Sequence, residues 1–173
     1  MGLMTYLYVK LSRQPKAKRV EGSIYNFKVK DIEGREVDFE SFRGKNLLIV
    51  NTASKCGFTG QYADLEKLHQ THSDKVVVLG FPSNNFFWQE PGNEDQIASF
   101  CQKNFGVTFK MFSKISVRGK HQHPLYQWLH WHTGQVPTWN FCKFLVTRNG
   151  NEVQFFSSTV APMDPQIVNE ILK

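Results

Sequence analysis

The sequence predicts an α/β fold, in which a central mixed sheet carries helices on both faces and an N-terminal β-hairpin precedes it. Two continuous apolar runs, Leu47–Val50 and Val76–Leu79, are typical of strands that are buried on both faces. Each run is followed by a segment whose apolar residues recur every three or four positions, which indicates a helix packed on the sheet. A later strand that turns back at Asn149-Gly150 completes the pattern.

The hairpin and the first helix of this fold are expected between residues 24 and 72. Alternation over Ile24–Lys30 predicts a strand, which returns over Arg35–Phe39 after the Glu33-Gly34 turn signal. A short helical turn is expected over Glu40–Arg43. Beyond the first buried strand, Thr59 is expected to cap a helix. The inner face of that helix carries Tyr62, Leu65, Leu68 and His69.

The second half of the chain repeats this alternation of strand and helix. A second buried strand is expected over Lys75–Phe81, followed by a helix that Asn93 caps and that runs to about Asn104. The remaining predicted elements are a weak strand over Met111–Val117, a helix over Pro124–His132 that Pro137 ends, strands over Trp139–Thr147 and Glu152–Ser157, and a helix over Pro165–Leu172.

Length and composition favour one globular domain in a reducing compartment. The chain has 173 residues, a net charge of +6 and three cysteines, too few and too odd in number for a secreted disulfide scaffold. We expect a domain over residues 22–173 and a cytoplasmic location. Residues 1–21 are expected to form an extension or linker, with a short strand or frayed tail at Met1–Leu11. No basic stripe alternates with aromatic residues, so nucleic-acid binding is not expected.

Cys56 is the first candidate for chemistry, because it follows a buried strand and precedes a predicted helix. A thiol at this edge of a sheet lies near the positive end of the helix and near Lys55, and both favour the thiolate. The alternative is a small buried cysteine that packs under the sheet. The local sequence leaves both interpretations open.

Several cysteine chemistries are disfavoured by the residues around Cys56. A thioredoxin-type dithiol needs a second cysteine at position 59, and a peroxiredoxin needs threonine at position 53, but Thr59 and Ala53 stand there. The histidine pairs near residues 121–132 have the wrong spacing for zinc on a helix, so neither a metal nor a cofactor is expected. No signature of a papain-like hydrolase surrounds the cysteine.

A redox nucleophile remains, in which a thiolate attacks a peroxide and forms a sulfenic acid. Such a site needs N–H donors that cannot take a proton away from the reacting sulfur. Amide and indole groups meet this condition. The sequence places these groups at strand ends, as Asn84-Asn85 and as Trp139-Asn140. In the predicted fold these ends converge near Cys56.

Five segments of the chain resemble segments of the glutathione peroxidases and follow one another in the same order as in that family. The resemblance is to the form of the family that has cysteine in place of selenocysteine. The three main motifs lie at residues 51–59, 81–92 and 139–145, and shorter matches lie at 105–109 and 123–126. The resemblance runs from about Gly22 to the C-terminus. It implies a thioredoxin-like fold and a thiol peroxidase that acts on hydrogen peroxide and on organic or lipid hydroperoxides.

The resemblance also implies roles for individual residues. Cys56 matches the peroxidatic residue, and Trp139 and Asn140 match the donors that polarise its sulfur. Asn85 stands where the family usually has glutamine, so its amide is one methylene shorter. The family usually has glycine at Phe87 and often proline at Lys110.

Two further cysteines are assigned differently. Cys101 matches the second thiol that cysteine-type members use to resolve the sulfenic acid before thioredoxin reduces the disulfide. Packing in the core is its alternative role, and packing is the expected role of Cys142. If Cys101 resolves, the helix around it has to unwind locally, because the two sulfurs are not expected to touch.

The same resemblance bears on partners. The reductant is expected to be thioredoxin or glutathione. The short segment between His123 and Pro137 resembles the monomeric members, whose open site admits lipid hydroperoxides. Phe87 and Trp88 are either an apolar rim for such substrates or packed aromatics, and membrane contact is expected only through such substrates. A rival hypothesis is a peroxide-sensing redox relay with slow turnover, which the shortened amide at Asn85 favours.

Overall fold

The computed structural model describes residues 15–173, so the expectation for Met1–Leu11 falls outside the described residues. Residues 15–23 form no helix or strand. The strands are β1 (Lys28–Lys30), β2 (Glu36–Asp38), β3 (Asn46–Thr52), β4 (Val76–Pro82), β5 (Lys110–Met111), β6 (Lys143–Val146) and β7 (Val153–Phe156). The helices are α1 (Gln61–His72), α2 (Glu94–Phe105), α3 (Pro124–Thr133) and α4 (Pro165–Leu172).

The predicted fold class is confirmed. Strands β1 and β2 form the N-terminal hairpin, and the other five form a mixed sheet in the order β5-β4-β3-β6-β7. Strand β3 is buried on both faces and alternates between two cores. Leu47 and Ile49 pack in one core with residues of α3, whereas Leu48 and Val50 pack in the other with residues of α1, α2 and α4.

The pairing of β3 decides which loops meet. It pairs parallel with β4 and antiparallel with β6, with Val50 opposite Gly80 on one side and Lys143 on the other. The segments that follow β3 and β4 therefore share one edge of the sheet with the segment that precedes β6. The convergence expected from the sequence is present. None of the helices within residues 15–173 is long and apolar enough to cross a membrane.

Five local predictions are wrong. The strand expected from Trp139 begins only at Lys143, because residues 139–141 form a bend and a turn. Ile24–Asn26 is a 3-10 turn capped by Ser23, and only Lys28–Lys30 is a strand. Helix α1 begins at Gln61 after Gly60, and Thr59 does not cap it. Helix α3 ends at Gly134, whose φ of 66° is left-handed, before Pro137 is reached. The weak strand is confined to Lys110–Met111, and beyond it the Ser113 N–H donates to the carbonyl of Lys30 in β1 and the Ile115 N–H donates to the carbonyl of Pro82.

Candidate active site

Cys56 lies half-buried in the turn between β3 and α1. The Phe58 N–H lies 3.4 Å from its sulfur and donates to it, and such a donor can hydrogen-bond a thiolate. Thr59 fixes this turn, because its hydroxyl accepts from the Cys56 N–H at 3.0 Å and donates to the Ala53 carbonyl at 2.9 Å. The hydroxyl expected to cap the helix therefore shapes the loop that carries the thiol.

Trp139 and Asn140 are tied to the end of β3 by Asn51. The side-chain Nδ2 of Asn51 donates to the Trp139 carbonyl at 2.9 Å, and the Phe141 N–H donates to the Asn51 carbonyl at 2.6 Å. Phe141 has a left-handed φ of 64°, so the chain bends just before β6 begins. This bend sets the two predicted donors beside the strand that leads to Cys56.

The carboxamide of Asn140 is buried and is held by Gln89. Its Nδ2 donates to Oε1 of Gln89 at 2.8 Å, while its Oδ1 has no hydrogen-bond partner among residues 15–173. The backbone carbonyl of Gln89 accepts from the N–H of Lys55, the residue before Cys56, at 3.0 Å. Sequence reasoning assigned no role to Gln89, although it lies in the second motif, four residues after Asn85.

The side chain of Asn85 forms its hydrogen bonds with residues other than Cys56. Its Oδ1 accepts from the Val117 N–H at 2.7 Å and from the Ser83 hydroxyl at 2.9 Å. The hydroxyl of Ser116 lies 3.2 Å from its Nδ2. These bonds fasten the loop after β4 to residues 116–117, and none of the hydrogen bonds that its side chain makes within residues 15–173 leads to Cys56. Its assignment to catalysis stays a prediction.

Glu90 carries a buried carboxyl group next to the Cys56 loop. Burial raises its pKa, and hydrogen bonds from Ser54 with the nearby charges of Lys114 and Lys55 oppose this shift. A cavity of about 390 Å³ lies here. It is lined by Ser54, Lys55, Glu90, Pro91, Gly92, Gln96, Ile97 and Phe100.

The three cysteines are free thiols in different surroundings. Cys101 is 2% exposed on the inner face of α2, and burial raises the pKa of its thiol to about 11, a shift that the neighbouring Tyr62 hydroxyl opposes. Cys142 is fully buried, with its sulfur 3.7 Å from the hydroxyl of Ser158. The resolving role of Cys101 and the packing role of Cys142 both stay predictions.

Phe87 and Trp88 form an exposed aromatic pair, 44% and 77% exposed, on the loop that carries Gln89. The ring of Phe87 lies 5.8 Å from that of Trp139. Both residues have a left-handed backbone, with φ of 51° and 54°. This geometry favours glycine, which is the residue that the resemblance expects at position 87.

Within residues 15–173, no group of three or more His, Cys, Asp or Glu side chains is placed to hold a metal ion. The functional candidates are therefore the thiol and the amide, indole and carboxyl groups around it.

Comparison with protein families matches residues 24–130 to the glutathione peroxidase model. A glutathione peroxidase homolog BsaA of Bacillus subtilis is 48% identical, over 82% of this chain and 92% of its own. The glutathione peroxidase-like peroxiredoxin 2 of Saccharomyces cerevisiae is 45% identical over 87% and 98%. The thioredoxin/glutathione peroxidase BtuE of Escherichia coli is 42% identical over 88% and 97%.

Comparison with solved structures finds proteins that are similar in sequence and in fold. A crystal structure of Trgpx in its apo form superposes with a TM-score of 0.70 at 38% identity, covering 88% of this chain and 98% of that one. The crystal structure of GPX1 from T. cruzi superposes with a TM-score of 0.66 at 32% identity, covering 87% and 95%. A secreted disulfide oxidoreductase of Mycobacterium tuberculosis, at 15% identity and a TM-score of 0.59, covers 86% and 96% and shares the fold alone.

Proposed function

Since the chain belongs to the glutathione peroxidase family and is a peroxidase, we propose that it reduces hydrogen peroxide and organic or lipid hydroperoxides through Cys56. The observation that carries this proposal is the placement of Cys56. Its sulfur receives the Phe58 N–H, and the segment with Trp139 and Asn140 is fastened to the same strand end. A nucleophile, an indole and an amide thus share one edge of the sheet.

In the proposed reaction the Cys56 thiolate attacks the terminal oxygen of the hydroperoxide. The O–O bond breaks, the sulfur becomes a sulfenic acid, and the leaving alkoxide takes up a proton and departs as an alcohol or as water. Indole and amide N–H groups suit this step, because they stabilise the departing oxygen without neutralising the thiolate.

Cys101 is the proposed resolving thiol. Its sulfur attacks the sulfenic sulfur of Cys56, the hydroxyl leaves as water with the thiol proton, and a disulfide forms. Thioredoxin then reduces this disulfide with two electrons. Because Cys101 is 2% exposed and its pKa is about 11, the folded helix keeps it protonated and out of reach, so α2 has to unwind locally.

The exposed aromatic pair supports bulky substrates. Phe87 contacts Trp139 of the site, and Trp88 projects into solvent beside it. Together they offer an apolar surface next to the thiol, on which the acyl chain of a lipid hydroperoxide can lie. We place such a monomeric enzyme in the cytoplasm, where thioredoxin and glutathione are available.

Peroxide consumption by stopped flow tests the role of Cys56. Cys56→Ser is expected to abolish the fast reaction, whereas the matched control Cys142→Ser keeps it. A Cys56→Ser variant that reacts as fast as the parent contradicts the proposal.

Mass spectrometry after one equivalent of peroxide, in the presence of reduced glutathione, separates the reductants. A Cys56–Cys101 disulfide that thioredoxin and its reductase remove supports thioredoxin. Glutathionylated Cys56 without that disulfide supports glutathione.

A peroxide-sensing relay is the second candidate, and the engagement of Asn85 by Ser83, Ser116 and Val117 favours it. An amide withdrawn from the sulfur would slow turnover but not prevent oxidation. Stoichiometric oxidation without steady turnover in the thioredoxin system would support the relay, and steady turnover would support the enzyme.

A further inference from the structure

The buried carboxamide of Asn140 depends on one side chain for its orientation. Of its two polar atoms, only Nδ2 has a partner within residues 15–173, and that partner is Oε1 of Gln89. Because an acceptor oxygen faces it, Nδ2 and not Oδ1 has to point towards Gln89. Nδ2 carries two hydrogens, so the second remains for the sulfur or the bound peroxide.

Gln89 is itself fixed from the backbone. Its N–H donates to the Phe86 carbonyl at 3.2 Å, and its carbonyl accepts from the Lys55 N–H at 3.0 Å. One residue therefore joins the loop that carries Cys56 to the amide expected to serve it. Since the backbone of Gln89 is already fixed, holding Asn140 costs only the rotamer freedom of its side chain.

The side chain of Asn85 is engaged in a different contact. Its Oδ1 satisfies the N–H of Val117, which is fully buried, and releasing that bond would leave a buried donor unpaired at about 1–3 kcal/mol. The amide that the resemblance assigns to the sulfur thus serves the loop at residues 116–117.

We infer that Gln89 is a positioning residue for the peroxidatic reaction, and that it supports the site through Asn140 in place of Asn85. This inference rests on the proposed function. In this chain the supporting amide is that of Gln89, which bonds to Lys55 through its backbone and to Asn140 through its side chain. Asn85 then has a structural role.

Stopped-flow oxidation of the reduced, full-length protein by hydrogen peroxide tests the inference over a pH series. Gln89→Met keeps the length of the side chain and removes the acceptor. Its oxidation rate is expected to fall about 10- to 100-fold, as is usual when a supporting partner is lost. The midpoint of its pH–rate profile is expected to move to higher pH, which a purely structural role would not cause.

A double-mutant cycle shows whether Gln89 acts through Asn140. In an Asn140→Ala background, Gln89→Met is expected to change the rate less than about twofold. An equal loss with and without Asn140, or no loss and no shift in either background, overturns the inference. If Gln89→Met does not fold, Gln89→Asn replaces it, since that amide is too short to keep the bond.

Asn85→Ala is the matched comparison. It is expected to lower the urea midpoint because the Val117 N–H loses its partner, and to slow oxidation less than Gln89→Met does. A larger loss of rate in Asn85→Ala than in Gln89→Met also overturns the inference. Failure here leaves the Cys56→Ser result untouched, so the peroxidase function and the role of Gln89 are judged separately.

Discussion

At the scale of single residues, Phe87 and Trp88 have a strained backbone, and their packing does not fully offset the strain energy. A left-handed backbone costs a residue other than glycine about 1–2 kcal/mol. Phe87 recovers part of this through its ring contact with Trp139, whereas Trp88 is 77% exposed and gains little. Strain that packing does not offset tends to occur at functional sites, and here it adjoins the thiol.

Trp88→Asn is expected to remove this strain, because asparagine adopts the left-handed region more readily. The free energy of unfolding in urea should stay equal or rise by up to about 1 kcal/mol. Reduction of phosphatidylcholine hydroperoxide in vesicles should slow, while reduction of hydrogen peroxide should not. The control is Trp131→Ala, which removes a 45% exposed tryptophan from α3. Equal slowing in both variants would contradict a specific role for Trp88.

At the scale of elements, the proposed resolving role of Cys101 requires α2 to be stable enough to bury the thiol and weak enough to release it. Its start is fixed by a capping box, in which Asn93 accepts from the Gln96 N–H at 3.0 Å and Gln96 accepts from the Asn93 N–H at 3.0 Å. A cap of this kind contributes about 1 kcal/mol. The cap therefore sets how often the helix opens.

Asn93→Ala is expected to speed formation of the Cys56–Cys101 disulfide by about fivefold, since 1 kcal/mol corresponds to that factor in the open population. Quenched mass spectrometry measures this step separately from oxidation of Cys56. Asp164→Ala is the matched control, because it removes an N-cap from α4, which carries no cysteine. If both variants accelerate the step equally, general destabilisation and not opening of α2 is responsible.

The same elements show what the sequence can and cannot predict. Helix α2 was predictable because its cap and its apolar face are local. Thr59 was misassigned because its hydroxyl bonds to Ala53 and Cys56, a choice that depends on the turn geometry. The side chains of Asn85 and Gln89 also bond to Ser116, Val117 and Asn140, which lie 31 to 51 residues away, so no local pattern reveals these contacts.

At the scale of the whole molecule, the fold contains a buried lysine without a hydrogen-bonded carboxylate. Lys143 of β6 donates to Oε1 of Gln61 and to the carbonyl of Val160, each at 2.5 Å. Burial lowers its pKa from 10.5 to about 8, and the nearby charge of Asp64 opposes this shift. Between these values the unfolded chain binds more protons than the folded one, so stability rises with pH.

The comparison of the parent with Lys143→Met tests this dependence. The parent should gain on the variant by up to roughly 3 kcal/mol in free energy of unfolding as the pH rises from about 8 to 10.5. Urea titrations across this range measure the gain. The control is the difference at pH 6 and pH 7, which should be constant because Lys143 is charged in both states. If the difference in free energy of unfolding stayed constant up to pH 10, it would contradict the lowered pKa of Lys143.

The pairing of β3 with β4 on one side and β6 on the other has a consequence for biosynthesis. Cys56 leaves the ribosome well before Trp139 and Asn140, and β6 has to dock on β3 before they lie at the same edge of the sheet. A chain that stalls between these points therefore carries the nucleophile without its neighbours. Peroxidase activity that depends on these neighbours would report that β6 has docked, and not merely that the cysteine has been translated.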